Sequence, residues 1–273
     1  MTRLAGVRMR RAVWLLASAI GPAGLALSGC TGQGQLPPEA KRLLENGKDA
    51  YTGGEDTAVI RNMDAFLKDY GESARADEAY YYRARSRYRL KDYRGAKADI
   101  LETLARTRHE AIRASSLIVL GDVGYDTGDM PLAEQNYREA LALAPQASAP
   151  ADYVLLRLGV VLQRRGKWDE ADRQFDRLDY VFPGSDLSRL AARKVRATAW
   201  TVQVGAYQRR AGAEAGAAKF RAQRFTPEIR PARNGGQPFF VVCVGRFRTY
   251  DGATQALKDL QQLQPDAFAT VTR

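Results

Sequence analysis

The chain of 273 residues holds few side chains suited to covalent chemistry: two cysteines, Cys30 and Cys243, and a single histidine, His109. A zinc site needs Cys, His or carboxylate ligands at characteristic spacings, and no Cys/His cluster of that kind occurs. A nucleophilic enzyme needs a Ser or Cys next to a base that a third group orients. No such set stands out, nor any carboxylate pair at a spacing suited to acid–base work. His109, beside Glu110 and between two helical patterns, reads as a solvated surface residue. No catalytic residue, metal ligand or cofactor is therefore expected. What remains is recognition, and charge says where to look for it. The net charge is +11, and residues 198–273 carry 11 Lys/Arg against 5 Asp/Glu. That excess marks the last quarter as a separate domain with an anionic or polar partner.

The N-terminus bears on which partners the chain can meet. Residues 1–29 contain four arginines (Arg3, Arg8, Arg10, Arg11), no acid, and an apolar run from residue 12 onward. A charged start before an apolar stretch is the layout of a secretory signal. Gly21, Pro22 and Gly24 make the run a poor permanent membrane helix. It ends in Leu27-Ser28-Gly29-Cys30, which resembles the lipobox of bacterial lipoproteins. The resemblance implies cleavage before Cys30 and diacylglycerol on the Cys30 sulfur. Residues 30–40, with Thr31-Gly32-Gln33-Gly34-Gln35 and Pro37-Pro38, would then be a lipid-anchored tether. Each buried methylene contributes about 0.8 kcal/mol, so the three acyl chains usual for such lipoproteins would hold the chain on a membrane almost permanently. Thr31, rather than an Asp, after the cysteine implies the periplasmic face of the outer membrane. With Cys30 lipidated, Cys243 has no disulfide partner. An exported chain rarely meets nucleic acid, so none is expected despite the basic C-terminus.

The elements that would position a binding surface begin with a repeat. Leu155, Leu158, Gly159, Ala171, Phe175, Leu178 and Pro183 are matched by Leu117, Leu120, Gly121, Ala133, Tyr137, Ala140 and Pro145. From each glycine the two series run +12, +16, +19 and +24. This spacing resembles the tetratricopeptide (TPR) repeat. Two antiparallel helices cross closely only where side chains are small, and the aromatic a turn later fills the gap. Weaker copies carry Tyr80, Ala84, Ala96, Ile100 and Thr103, and before them Leu43, Gly47, Val59, Met63 and Phe66, closing at Gly71. The small positions 47, 84, 121 and 159 follow one another at nearly constant intervals, the last longer than the others by a single position. Turn signals fall between at Gly53-Gly54, Lys91-Asp92, Gly128-Asp129 and Gly166-Lys167. About four repeats over residues 41–184 suffice to bury a continuous core. Tyr80, Tyr81, Tyr82 and Trp168 are expected in core or repeat contacts. The segment from Phe66-Leu67-Lys68-Asp69-Tyr70 to Tyr93 is similar to TPR lipoproteins of outer-membrane assembly and division machinery. It implies a concave groove that holds an extended peptide or partner helix from a periplasmic protein. Residues 185–199 read as a capping helix and linker, with Leu187, Leu190, Ala191 and Val195 inward.

From Trp200 the period becomes two: Trp200, Val202 and Val204 alternate with Thr201, Gln203 and Gly205. A helix over 211–224 buries Ala213, Ala217 and Phe220. Strands follow at 228–232 and 239–245, joined at Asn234-Gly235-Gly236. A helix over 253–263, N-capped by Asp251, and a strand at 267–272 close the chain. The order βαββαβ over 200–273 is the split βαβ, ferredoxin-like arrangement, with both helices on one sheet face. The fold class is thus two-domain: an all-α solenoid followed by a small βαββαβ domain. Val202-Gln203-Val204-Gly205-Ala206-Tyr207, and further on Phe240-Val241-Val242-Cys243-Val244-Gly245-Arg246-Phe247, resemble the paired strand motifs of the SPOR (sporulation-related) domain. The resemblance implies binding to peptidoglycan glycan strands stripped of stem peptides, and recruitment to the site of division. Gln203 matches the family's first-strand glutamine, whose amide donates to and accepts from sugar hydroxyls. Phe239 falls near its third-strand aromatic, and either stacks on a sugar or is shielded by the chain's own terminus. Val241 follows on the same face, where the family often has a basic residue, and Ala206 stands where it usually has Ser. Cys243 alternates onto that face too. An RNA-binding βαββαβ module would open its third strand with a basic-glycine-aromatic motif, which is missing here.

Two functions follow. In the first, the chain grips denuded glycan through residues such as Gln203, Phe239 and Val241 and recruits a protein through its repeats, in cell division or envelope organisation. In the second, it is a TPR scaffold lipoprotein of outer-membrane protein assembly with little glycan binding.

Overall fold

Four helical hairpins stand where the period of the small residues puts them. In the computed structural model, which describes residues 36–143, 150–234 and 236–272, α1 (Pro38–Thr52) pairs with α2 (Asp56–Tyr70), and α3 (Ala76–Arg89) with α4 (Tyr93–Arg106). Two more hairpins join α5 (Glu110–Thr127) to α6 (Met130–Leu143), and α7 (Ala151–Arg164) to α8 (Trp168–Val181). The expected signal segment, Cys30 with most of the expected tether, Pro145 and Gly235 lie outside the described residues. No helix among the described residues is long and apolar enough to cross a membrane.

The small residues do what the spacing demands. A side chain on Gly47 would collide with Met63, one on Gly121 with the Tyr137 ring, and one on Gly159 with the Phe175 ring. Each of these partners stands at +16 from its glycine, and each is buried. In the second hairpin Ala84 takes the glycine's place opposite Ile100, both fully buried. The hairpin turns contain Gly54, Lys91, Gly128 and Gly166, all with φ between +64° and +84°. This is the left-handed region that glycine enters without a steric penalty, and of the four only Lys91 occupies it with a side chain. The buried side chains gather in three clusters along the array, around Phe66, around Ile100, and around Tyr137 and Phe175.

The capping helix is shorter than expected. It is α9 (Asp186–Ala192), with the Ser185 hydroxyl accepting from the Ser188 N–H as N-cap. The chain then turns through Arg196 at φ +60°. Ala191 is buried and Val195 packs on the last repeat, but Leu190, expected inward, is exposed.

The C-terminal part runs β1 (Ala199–Tyr207), α10 (Arg210–Ala222), β2 (Pro227–Asn234), β3 (Gln237–Phe247), α11 (Tyr250–Leu263) and β4 (Phe268–Thr272). The strands lie in the order β2-β3-β1-β4, all neighbours antiparallel. Pro227 and Pro231 suit β2 to an edge, where a missing N–H costs least. Val202, Val204, Val242 and Val244 pack with Ala213, Ala217, Phe220 and Leu260, so both helices cover one face as expected. One cap differs: the hydroxyl of Thr249, not Asp251, accepts from the backbone at the start of α11, with Asp251 in the first turn.

Candidate functional site

The uncovered sheet face carries the residues expected to meet a ligand. Since Val202, Val204, Val242 and Val244 turn to the helices, their alternates turn away. The register then lays Phe268 of β4, Gln203 of β1, Cys243 of β3 and Glu228 of β2 in one row across the four strands. Two positions along β3 from that row, Val241 stands opposite Arg230, and two further still Phe239 stands opposite Ala232. At roughly 3.4 Å per residue, Phe239 lies about 14 Å along the sheet from the Gln203 row. The face thus offers an amide at one station and an aromatic ring at another.

The expected residues share this face, but their surroundings refine the expectation. Gln203, Phe239 and Val241 are each half-buried, while Phe268, which alternation in so short a strand does not single out, is 50% exposed. Val241 offers no polar contact itself; its partner across the ladder, Arg230, puts a guanidinium beside it. Arg230 donates to the Glu228 carboxylate, and this hydrogen bond holds the carboxyl below and the guanidinium above their ordinary ranges. Shielding of Phe239 by the C-terminal strand is ruled out by the sheet order, because β1 separates β3 from β4. Cys243 is on this face yet only 4% exposed, and burial pushes its thiol up. An inert, protonated thiol is a packing residue.

A second surface forms on the repeats. The first helices of successive hairpins line a cavity of about 400 Å³, walled by Tyr51, Tyr81, Arg85, Tyr88, Asp122 and Tyr153 among others. Asp122 accepts from Tyr137 Oη at 2.5 Å and from Tyr153 Oη at 2.6 Å, and pairs with Arg157 at 3.3 Å. Burial nevertheless raises its carboxyl above the usual range. Tyr81 and Tyr82, expected in repeat contacts, pack edge-on against each other, and Tyr51 packs edge-on against Tyr82.

Trp200 departs from the period-two pattern. It is buried, but its indole N–H donates to the Gln163 carbonyl at 2.9 Å, and its ring packs against Trp168 of α8 and Tyr250 of α11. Gln163 in turn donates to the Lys194 carbonyl at 2.8 Å. The last repeat and the sheet domain are therefore joined through a buried aromatic contact.

Residues 197–270 match the SPOR domain family model, and residues 153–185 match a tetratricopeptide repeat model. Solved structures similar to the helical part include the apo form of RapI (17% identity, 57% of this chain and 60% of that one, TM-score 0.50). Others are the MamA protein (16% identity, 57% and 82%, TM-score 0.48) and YrrB, a TPR protein with an unusual peptide-binding site (18%, 57% and 83%, 0.46). No curated protein sequence matches the chain. The chain thus carries TPR repeats followed by a C-terminal SPOR domain. Both are binding modules: the first points to protein or peptide partners, the second to peptidoglycan.

Proposed function

We propose that this protein is an envelope lipoprotein that grips glycan strands stripped of stem peptides through its SPOR domain and recruits a protein through its repeats during cell division. The open four-stranded face carries the proposal. Gln203 offers both halves of its amide, Phe268 and Phe239 offer ring faces, and Arg230 adds donors between them. Sugars are bound by this combination, since hydroxyls need partners that both donate and accept while pyranose rings present apolar faces to aromatics. The preference for glycan stripped of stem peptides is what the resemblance to the SPOR family implies. The lipobox-like end at Cys30 supports an anchor on a membrane facing the wall, with the outer membrane as its place.

Two variants test this in cells. A fluorescent fusion of the full chain should concentrate at division sites, and Gln203→Ala with Phe268→Ala should spread it evenly around the envelope. An even outline for the parent protein would contradict the division role. Cys30→Ser should release the protein from membranes into the soluble fraction; retention on the membrane would contradict the anchor.

A further inference from the structure

The arginines beside the inner helices of the repeats divide into two kinds. Some are neutralised: Arg83 pairs with Asp64 and Asp99, Arg87 with Asp99, Arg89 with Asp56, and Arg157 with Asp122 and Asp126. Arg85, Arg113 and Arg164 have no ion pair among the described residues; Arg113 donates to the Leu104 carbonyl, whereas Arg85 and Arg164 are held by tyrosine rings. The Arg85 guanidinium lies 4.5 Å from the Tyr51 ring centroid and 5.5 Å from that of Tyr81, and donates to the Tyr81 hydroxyl at 3.2 Å. Arg164 lies 4.1 Å from the Tyr125 centroid and 4.5 Å from that of Tyr250 in the SPOR domain.

Arg85 stands in the wall of the cavity on the repeats. Stacking fixes the plane of a guanidinium while leaving its N–H edge available for a bidentate acceptor. A second donor waits beside it. The Tyr51 hydroxyl, in the same wall, is shut off from solvent and makes no hydrogen bond within the protein, and burial keeps the phenol protonated. Nearby Asp122 does not oppose an anion, because Arg157 and two tyrosine hydroxyls already engage it. A buried donor left unmatched is unfavourable, and a carboxylate held by Arg85 would match the Tyr51 hydroxyl.

Resting on the proposal that the repeats recruit a protein, we infer that the groove takes an extended acidic segment of that partner. One carboxylate is received by Arg85 and Tyr51, and the tyrosine rings of the cavity wall cover the backbone beside it.

The test uses the full chain in detergent and fluorescein-labelled octapeptides: one of glutamate alternating with serine, and the same peptide with glutamine for glutamate. Fluorescence anisotropy should show binding of the glutamate peptide only. Arg85→Ala should weaken it at least tenfold, Arg85→Lys should weaken it less, and Tyr51→Phe should weaken it measurably. Arg85→Ala leaves ion pairs of the fold intact, and circular dichroism should confirm an unchanged helix content. Equal binding of the two peptides, or binding that Arg85→Ala leaves unchanged, overturns the inference. So does binding lost when the basic residues of the SPOR domain are neutralised but kept in Arg85→Ala. Sedimentation with purified cell-wall sacculi separates this from the glycan proposal, because Arg85→Ala should not alter it. Loss of sacculus binding in Arg85→Ala would instead make the wall's own stem peptides the source of the carboxylate, and would also overturn the inference.

Discussion

The helical array and the sheet domain solve the same problem, a surface for recognition, in opposite ways. In the array no single repeat owns the surface: the cavity wall takes Tyr51 from α1, Arg85 from α3, Asp122 from α5 and Tyr153 from α7. It exists only because glycine and alanine let the hairpins stack closely enough to bring those side chains together. In the sheet domain the surface is one face of one element, and helices packed on the other face leave it open. Electrostatics differ as well. Along the repeats, acids neutralise Arg83, Arg87, Arg89 and Arg157, while Arg85 in the cavity wall has no ion pair among the described residues. By contrast, residues 198–273 carry most of the excess positive charge that lies beyond residue 29. The stacked array thus presents a few polar groups without ion pairs among the described residues, while the sheet domain combines an overall positive charge with one open row of side chains.

Because Trp200 joins the two regions, it is the most sensitive place to strike. Trp200→Ala removes a buried indole and its hydrogen bond to Gln163, and truncations of this kind cost about 3–5 kcal/mol. Calorimetry should show one unfolding transition in the parent and two in the variant, as the sheet domain melts apart from the array. A single transition at an unchanged temperature would show that the regions do not depend on this contact.

Inside the array, Gly159→Val places methyl groups against the Phe175 ring, and overpacking of a close crossing costs about 1–3 kcal/mol. Denaturant melts should show the loss without any fall in glycan binding by the sheet domain. A parallel fall in both would tie glycan recognition to the array.

Acid should separate the regions again. Burial pushes the Glu134 carboxyl up, but Lys167, Arg138 and Arg165 outweigh it and hold the group below its ordinary 4.5. A depressed acid stabilises the fold above its unfolded pKa and loses that contribution as pH falls through the folded one. The array should therefore keep its melting temperature from pH 7 to about 5 and lose stability below about 4.5, and Glu134→Gln should flatten that drop. The smallest effect belongs to Thr249→Ala, where losing the cap of α11 should cost about 1 kcal/mol, whereas Asp251→Ala should change stability less.

The repeat was open to reading from spacing because its cause is local geometry: a small residue must face a large one on the returning helix, as Gly121 faces Tyr137. The two-layer arrangement of the sheet domain followed from period alone. Residues whose roles depend on departures from period were hidden. Trp200 shares the alternation of Val202 and Val204, yet a register shift between Trp200 and Val202, with Gly245 at φ +75° on the partner strand, frees it to meet the array. Arg230 sits in a strand interrupted by prolines, so its partnership with Val241 emerges only from the ladder. Phe268 begins a short strand in which alternation cannot assign a face. The helix pattern from Leu187 to Val195 outran the helix itself, which ends at Ala192 before the left-handed turn at Arg196. The cavity on the array was expected as a groove, but its unpaired arginine could not be told from its paired neighbours without knowing where each acid lies.

Sedimentation of the protein with purified sacculi, intact or treated with an amidase that strips stem peptides, tests the central claim most directly. Glycan recognition by the open face predicts binding that rises after amidase treatment, with the gain abolished by Gln203→Ala combined with Phe268→Ala. Equal binding to both preparations, or a gain that survives in the double variant, would contradict it.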